Sequence, residues 1–125
     1  MDRETLIKDW VAALRSGQYK QTTGFMRTSE GYDPFGVLCD VFDPNGWTLY
    51  PAEDMAENLK GKKVYQFKAR EDNAGSTWMI TQAICRKLQL DPEVERDLVM
   101  LNDRHRYSFD YIADYIERTL LNGKE

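Results

Sequence analysis

Lys63-Val64-Tyr65-Gln66-Phe67-Lys68-Ala69 is the stretch that separates this chain from an all-helical protein. Tyr65 and Phe67 fall on one side of an extended backbone and Val64 and Gln66 on the other, the period-two alternation of a pleated strand. Upstream, Asp43-Pro44-Asn45-Gly46 reads as a turn, because proline sets one dihedral and Asn-Gly supplies positive φ. Trp47-Thr48-Leu49-Tyr50 then reads as a second strand, and the two strands are expected to pair as a small sheet. Between them, Pro51 can start a short helix that runs through Leu59 and stops at Gly61.

Outward from this centre the pattern turns helical. Leu6, Ile7, Trp10, Val11 and Leu14 recur at helical spacing, with Asp2 as N-cap and Gly17 as the left-handed stop. Residues 18–31, with Thr22-Thr23-Gly24 and Phe25-Met26-Arg27, favour an extended or looped path to a turn at Glu30-Gly31. Pro34 opens the next element, where Phe35, Leu38, Cys39 and Phe42 keep helical spacing. It reads as a short buried helix, with a strand as the alternative that Val37 and Val41 allow. Beyond a polar loop over 71–75, Ser76 or Thr77 is expected to cap a helix carrying Ile80, Ala83, Ile84 and Leu88. Asp91-Pro92 starts another, lined by Val94, Leu98 and Leu101 and broken at Asn102-Asp103. Ser108 caps the last helix, whose apolar face is Phe109, Ile112, Ala113, Ile116 and Leu120. The expectation is one α+β domain over 1–125, mostly α: about five helices packed with a two- or three-stranded antiparallel sheet.

Composition narrows the class. Hydrophobic residues at 42% and charged residues at 30% are a globular balance, which argues against wholesale disorder. Two cysteines, Cys39 and Cys85, are too few for a disulfide framework and lack zinc-type spacing. The charged start leads into an amphipathic segment rather than the apolar run of a signal peptide, and no stretch approaches a membrane span, so a cytoplasmic location is expected. The net charge of −4 conceals two blocks: residues 32–59 hold six acids and no Lys or Arg, and residues 60–70 hold five bases and no acid. Such blocks can neutralise each other within the fold or present two patches to partners.

The segment Trp10-Val11-Ala12-Ala13-Leu14-Arg15-Ser16-Gly17-Gln18-Tyr19-Lys20-Gln21, the block Gly36-Val37-Leu38-Cys39-Asp40, the triplet Leu101-Asn102-Asp103 and the run Ser108-Phe109-Asp110-Tyr111-Ile112-Ala113-Asp114-Tyr115-Ile116-Glu117 together resemble an uncharacterised family of small bacteriophage and bacterial proteins. Relatives of that kind often carry a Cys-Cys pair just before the Gly-Val-Leu-Cys-Asp block, where this chain has Asp33-Pro34. The resemblance implies an accessory protein, acting in the host cytoplasm if phage-encoded, and supplies no catalytic residues.

Catalytic chemistry has thin support. A thiol enzyme would take Cys39 as nucleophile, His105 as base and Asp40 or Asp103 as orienter. Against it, Cys39 sits among Val37, Leu38, Val41 and Phe42, where a thiol is ordinarily a small buried hydrophobe. One histidine and scattered acids form no metal motif, and no glycine-rich loop is placed to cradle phosphate, so neither metal nor cofactor is expected. A helix-turn-helix over 92–121 would offer Asp110, Asp114 and Glu117 to DNA phosphate, the wrong sign for duplex binding.

Binding without turnover remains. Trp47, Tyr50, Tyr65 and Phe67 lie around the boundary between the acidic and basic blocks, and Lys62, Lys63, Lys68 and Arg70 supply the basic side. Aromatics beside charges are the composition of protein-contact anchors, so the leading expectation is a protein partner, a host or viral one that the chain inhibits or otherwise binds. Self-association through an apolar helix face is a further partner expectation. The alternative is a nucleotide or other small molecule, sequestered by the same lysines and aromatics.

Overall fold

The computed structural model describes residues 2–50 and 62–122, so the helix expected after Pro51 lies outside the described residues. Five α-helices stand among them: α1 (Arg3–Arg15), α2 (Pro34–Phe42), α3 (Gln82–Leu88), α4 (Pro92–Val99) and α5 (Phe109–Ile116). Two antiparallel hairpins accompany them: β1 (Arg27–Thr28) with β2 (Gly31–Tyr32), and β3 (Trp47–Leu49) with β4 (Tyr65–Phe67). The protein is therefore α+β and mostly α. No described helix is long and apolar enough to cross a membrane.

Helix α1 is the axis of the helical layer. Its stripe of Leu6, Ile7, Trp10, Val11 and Leu14 is buried against α2 and α5, and Asp2 Oδ1 accepts the Thr5 N–H at 2.8 Å as the N-cap. Trp10 is fully buried and donates its indole N–H to the Pro34 carbonyl at 2.8 Å, which pins the first turn of α2 to the middle of α1. Burying side chains of this size stabilises by roughly 1.5–3 kcal/mol each, so this seam anchors the fold. The helix reading of 34–42 holds over the strand alternative: Asp33 caps it through the Gly36 N–H at 2.8 Å, and Pro34 occupies the first turn.

Three elements differ from the sequence expectation. Residues 18–31, expected as an extended or looped path to a turn at Glu30-Gly31, are extended at 27–28 before a turn over 29–30, and they pair there with 31–32 as a tight hairpin that was not expected. Helix α3 begins at Gln82, later than Ser76 or Thr77 would set it; Ser76 instead accepts the Met79 N–H within a local turn. The start of α3 is capped from a distance, because the Thr81 side chain makes no cap bond while Asp72 accepts the Ala83 N–H at 2.8 Å and the Ala69 N–H at 2.9 Å. Asn102-Asp103 does not break α4: the helix continues as a π-turn through Arg104, and Arg106, in the left-handed region at φ 55°, reverses the chain. Asn102 is buried in that turn, donating to the Thr22 carbonyl at 3.0 Å and accepting from Gln21 Nε2 at 2.7 Å. The π-turn aims this amide inward and ties 21–22 to the C-terminal helices.

The hairpins meet edge to edge. An antiparallel bridge between Thr28 and Val64 joins β1 to β4, so the order across the surface is β2, β1, β4, β3. Ser29 and Lys63 extend the seam, with the Ser29 N–H donating to the Lys63 carbonyl at 2.9 Å. Glycine is required where α2 meets this layer: a Cβ at Gly36 would overlap the Met26 carbonyl, which itself accepts the Asp33 N–H at 3.0 Å.

Candidate functional site

Register decides which side chains share a face of the hairpin layer. Arg27 stands opposite Tyr32 in the first hairpin; Leu49 stands opposite Tyr65 and Trp47 opposite Phe67 in the second. Joining the hairpins through Thr28 and Val64 brings Arg27 beside Tyr65 on the same face. The Arg27 guanidinium carbon lies 4.5 Å from the Tyr65 ring centroid, 5.0 Å from that of Tyr32 and 5.4 Å from that of Trp47. Three aromatic faces around one cation are within the range where the ring quadrupole attracts positive charge.

The rings are themselves held. Trp47 meets Tyr32 edge-on at 6.1 Å and Phe67 edge-on at 5.2 Å, while Tyr19 meets Tyr32 edge-on at 4.9 Å. Asp40 on α2 accepts from both sides: the Tyr19 hydroxyl donates to it at 2.6 Å and the Trp47 indole N–H at 3.1 Å. Burial, followed by the neighbouring Asp40 carboxylate, pushes the Tyr19 phenol well above its ordinary range, so it stays a donor at neutral pH. Burial likewise raises the Tyr32 phenol. With Asp40 engaged by the rings, the Arg27 guanidinium makes no hydrogen bond or ion pair among the described residues. Leu49, 54% exposed, and Lys63, exposed on the same alternation as Tyr65, flank it.

The residues expected as binding anchors therefore separate. Trp47 and Tyr65 belong to the cage, and Lys63 is exposed two residues before Tyr65 on the same alternation. Phe67, expected among the anchors, is fully buried and belongs to the core, because β4 is covered where it backs onto Trp47. Tyr50 projects to the opposite face, where it lines a shallow groove with Gln66 and Trp78; Trp78 is 59% exposed and stacks on Phe25 at 6.1 Å. Lys62 pairs with Glu30 at 3.1 Å and borders a polar cleft of about 380 Å³ with Gln21, Asn102 and Arg106. Lys68 and Arg70 are exposed beyond the far end of β4, outside the cage. Arg27, Tyr32, Tyr19 and Asp40 were absent from the expected set. The signal for Arg27 is a lone basic residue in a two-residue strand, which becomes meaningful only after the hairpins pair.

The constellation proposed for thiol chemistry does not assemble. Cys39 is fully buried, its thiol 3.7 Å from Met26 Sδ, and burial raises its pKa well above the ordinary value. Asp40 serves Tyr19 and Trp47, Asp103 accepts from Asn102 and from the Gly24 N–H, and exposed His105 stacks on Tyr107 at 5.6 Å. Among the described residues, no three His, Cys, Asp or Glu side chains converge as metal ligands.

No curated protein and no solved structure matches this chain. A family model described as a domain of unknown function, DUF8296, matches residues 1–120, and the chain belongs to that family.

Proposed function

We propose that this is a non-enzymatic binding protein that engages a protein partner through the hairpin face bearing Arg27, Trp47, Tyr65 and Leu49. The observation that carries the reading is the guanidinium held on three rings with its hydrogen-bond donors unspent among the described residues. Arginine, tryptophan and tyrosine are the side chains that dominate binding energy at protein interfaces, and a rigid cluster of them loses little entropy on contact. The resemblance to small bacteriophage and bacterial proteins supports an accessory role of the phage type, in the cytoplasm of a host cell, with inhibition of a host or viral protein as one form of it.

The test is recovery of a tagged copy from its native host, with proteins and small molecules analysed together. A stoichiometric protein partner that is retained by the wild type and lost on Lys63→Glu or Leu49→Asp, with thermal unfolding unchanged, supports the reading; a partner indifferent to both variants refutes this face.

A small-molecule reading rests on the polar cleft of about 380 Å³, where Lys62 and Arg106 border the amides of Gln21 and Asn102. A copurifying nucleotide, with no protein, favours it over the protein-partner reading.

A further inference from the structure

We infer that the Arg27 cage is a carboxylate receptor and that its occupant is a Glu or Asp side chain from an acidic, partly apolar segment of the partner. This rests on the protein-partner reading above and names what the partner brings to it.

The argument starts from the donors. A guanidinium has five N–H groups in a rigid planar fork, and stacking on aromatic faces leaves the edges of that fork free to bond. The guanidinium carbon lies over the Tyr65, Tyr32 and Trp47 rings, 4.5, 5.0 and 5.4 Å from their centroids, and among the described residues none of its N–H groups meets a hydrogen-bond acceptor. The nearby acid, Asp40, is turned into the scaffold by the Tyr19 hydroxyl and the Trp47 indole N–H. The fork that remains matches a carboxylate in bidentate geometry.

Charge selects carboxylate over phosphate. Among the described residues, the charged groups on this face are Arg27 and, by alternation with Tyr65, Lys63 as cations, and Asp40 as an anion bonded to Tyr19 and Trp47. One net positive charge suits a monoanion, whereas a phosphate dianion calls for a denser cluster of cations or a helix N-terminus. Leu49 beside Tyr65 in the register offers an exposed apolar shelf, so the carboxylate is best carried by a chain with an apolar residue next to the acid.

The experiment titrates 15N-labelled full-length protein with a blocked peptide of glutamates flanking a leucine. The same peptide with glutamines, and sodium phosphate at matched ionic strength, serve as comparisons. The readout is the Arg27 Nε–Hε cross-peak, with the Trp47 indole N–H reporting that the cage is intact. The glutamate peptide is expected to shift the Arg27 peak saturably and to bind about tenfold more tightly than the glutamine peptide, the size of a charge-assisted bidentate pair. Arg27→Lys keeps the charge but loses the fork, and should weaken the glutamate peptide about tenfold by loss of the paired bond. Lys63→Gln is a surface change that should weaken it roughly two- to threefold.

Equal response to both peptides, tighter binding of phosphate, or no saturable shift overturns the carboxylate assignment. A partner captured from the host whose binding survives Arg27→Lys removes this inference and leaves the proposed function standing. Glutamate-peptide binding without any captured partner does the reverse.

Discussion

Asp33→Asn should make the protein more stable at neutral pH and remove most of its pH dependence between pH 5 and 7. Asp33 caps α2 from a position 6% exposed, accepting the Gly36 N–H at 2.8 Å. Burial and, less strongly, the Asp103 carboxylate disfavour the ionised form there, while the backbone N–H groups of Gly36 and Phe35 favour it. Burial is the largest of these, and the carboxyl is pushed up to about 8 from an ordinary 3.8. At pH 6 the folded protein therefore holds a proton on Asp33 that the unfolded chain has released. Stability from the neutral side chain is complete below the unfolded pKa and is lost as the pH climbs towards the folded one. The slope in that window is about 1.4 kcal/mol per pH unit, so from pH 5 to pH 7 the wild type should lose on the order of 3 kcal/mol. In a domain of this size that corresponds to a fall in Tm on the order of 10 °C. Asparagine caps a helix as well as aspartate does and cannot ionise, so Asp33→Asn should hold its stability flat across the window. Asp33→Ala separates the contributions: it also removes the titration but loses the cap, about 1 kcal/mol at every pH. Urea unfolding of the three proteins at pH 5, 6 and 7 measures all of this. A wild type that gains stability as the pH rises, with Asp33→Asn the weaker protein at pH 7, would show that the two N–H groups outweigh burial and would refute the reasoning.

Three further outcomes follow from the same packing. Gly36→Ala should destabilise by about 3 kcal/mol or more, since the new methyl meets the Met26 carbonyl, a backbone atom that cannot swing aside; thermal melts against wild type decide it. Asp72→Ala leaves the Ala69 and Ala83 N–H groups without their acceptor, at about 1–3 kcal/mol each, and hydrogen exchange at the start of α3 should quicken; unchanged protection there would rule out capping at a distance. A thiol reagent should modify one cysteine per folded chain, the exposed Cys85, and the buried Cys39 only after denaturation; rapid native labelling at Cys39 would contradict its place in the core.

Much of the helical layer was legible because its determinants are local. The α1 stripe, the Asp2 and Ser108 caps and the Asp91-Pro92 start each lie within a turn or two of sequence, and all stand where spacing and capping place them. The two strands of the β3–β4 pair were legible one by one, β4 from its alternation and β3 from the 43–46 turn just before it, although they pair across a longer stretch of chain. The first hairpin was not. Its strands are two residues long, too short to show a period, and pairing with Val64 across 36 positions of sequence helps define it. Phe67 shows another limit: alternation tells which residues share a face, but not which end of that face is buried. Asn102 looks like a helix breaker by composition and is instead a buried bonding group, because a π-turn and the Gln21 amide satisfy it.

Arg27 is held differently from the paired cations of the described residues. Three cations meet a carboxylate among the described residues: Lys8 with Glu4 at 3.5 Å, Arg15 with Asp114 at 2.6 Å and Glu117 at 3.2 Å, and Lys62 with Glu30 at 3.1 Å. Arg27 has no such pair among the described residues and lies over three aromatic rings. Both oxygens of Asp40 are instead drawn to Tyr19 and Trp47, so the carboxylate orients the rings and the rings orient the guanidinium. Rings supply attraction and a plane but no hydrogen-bond acceptor along the fork, so the charge is positioned while its directional bonding stays available. On the carboxylate reading, the side chain that meets the partner is ordered by the rings beforehand, so less entropy is lost on binding.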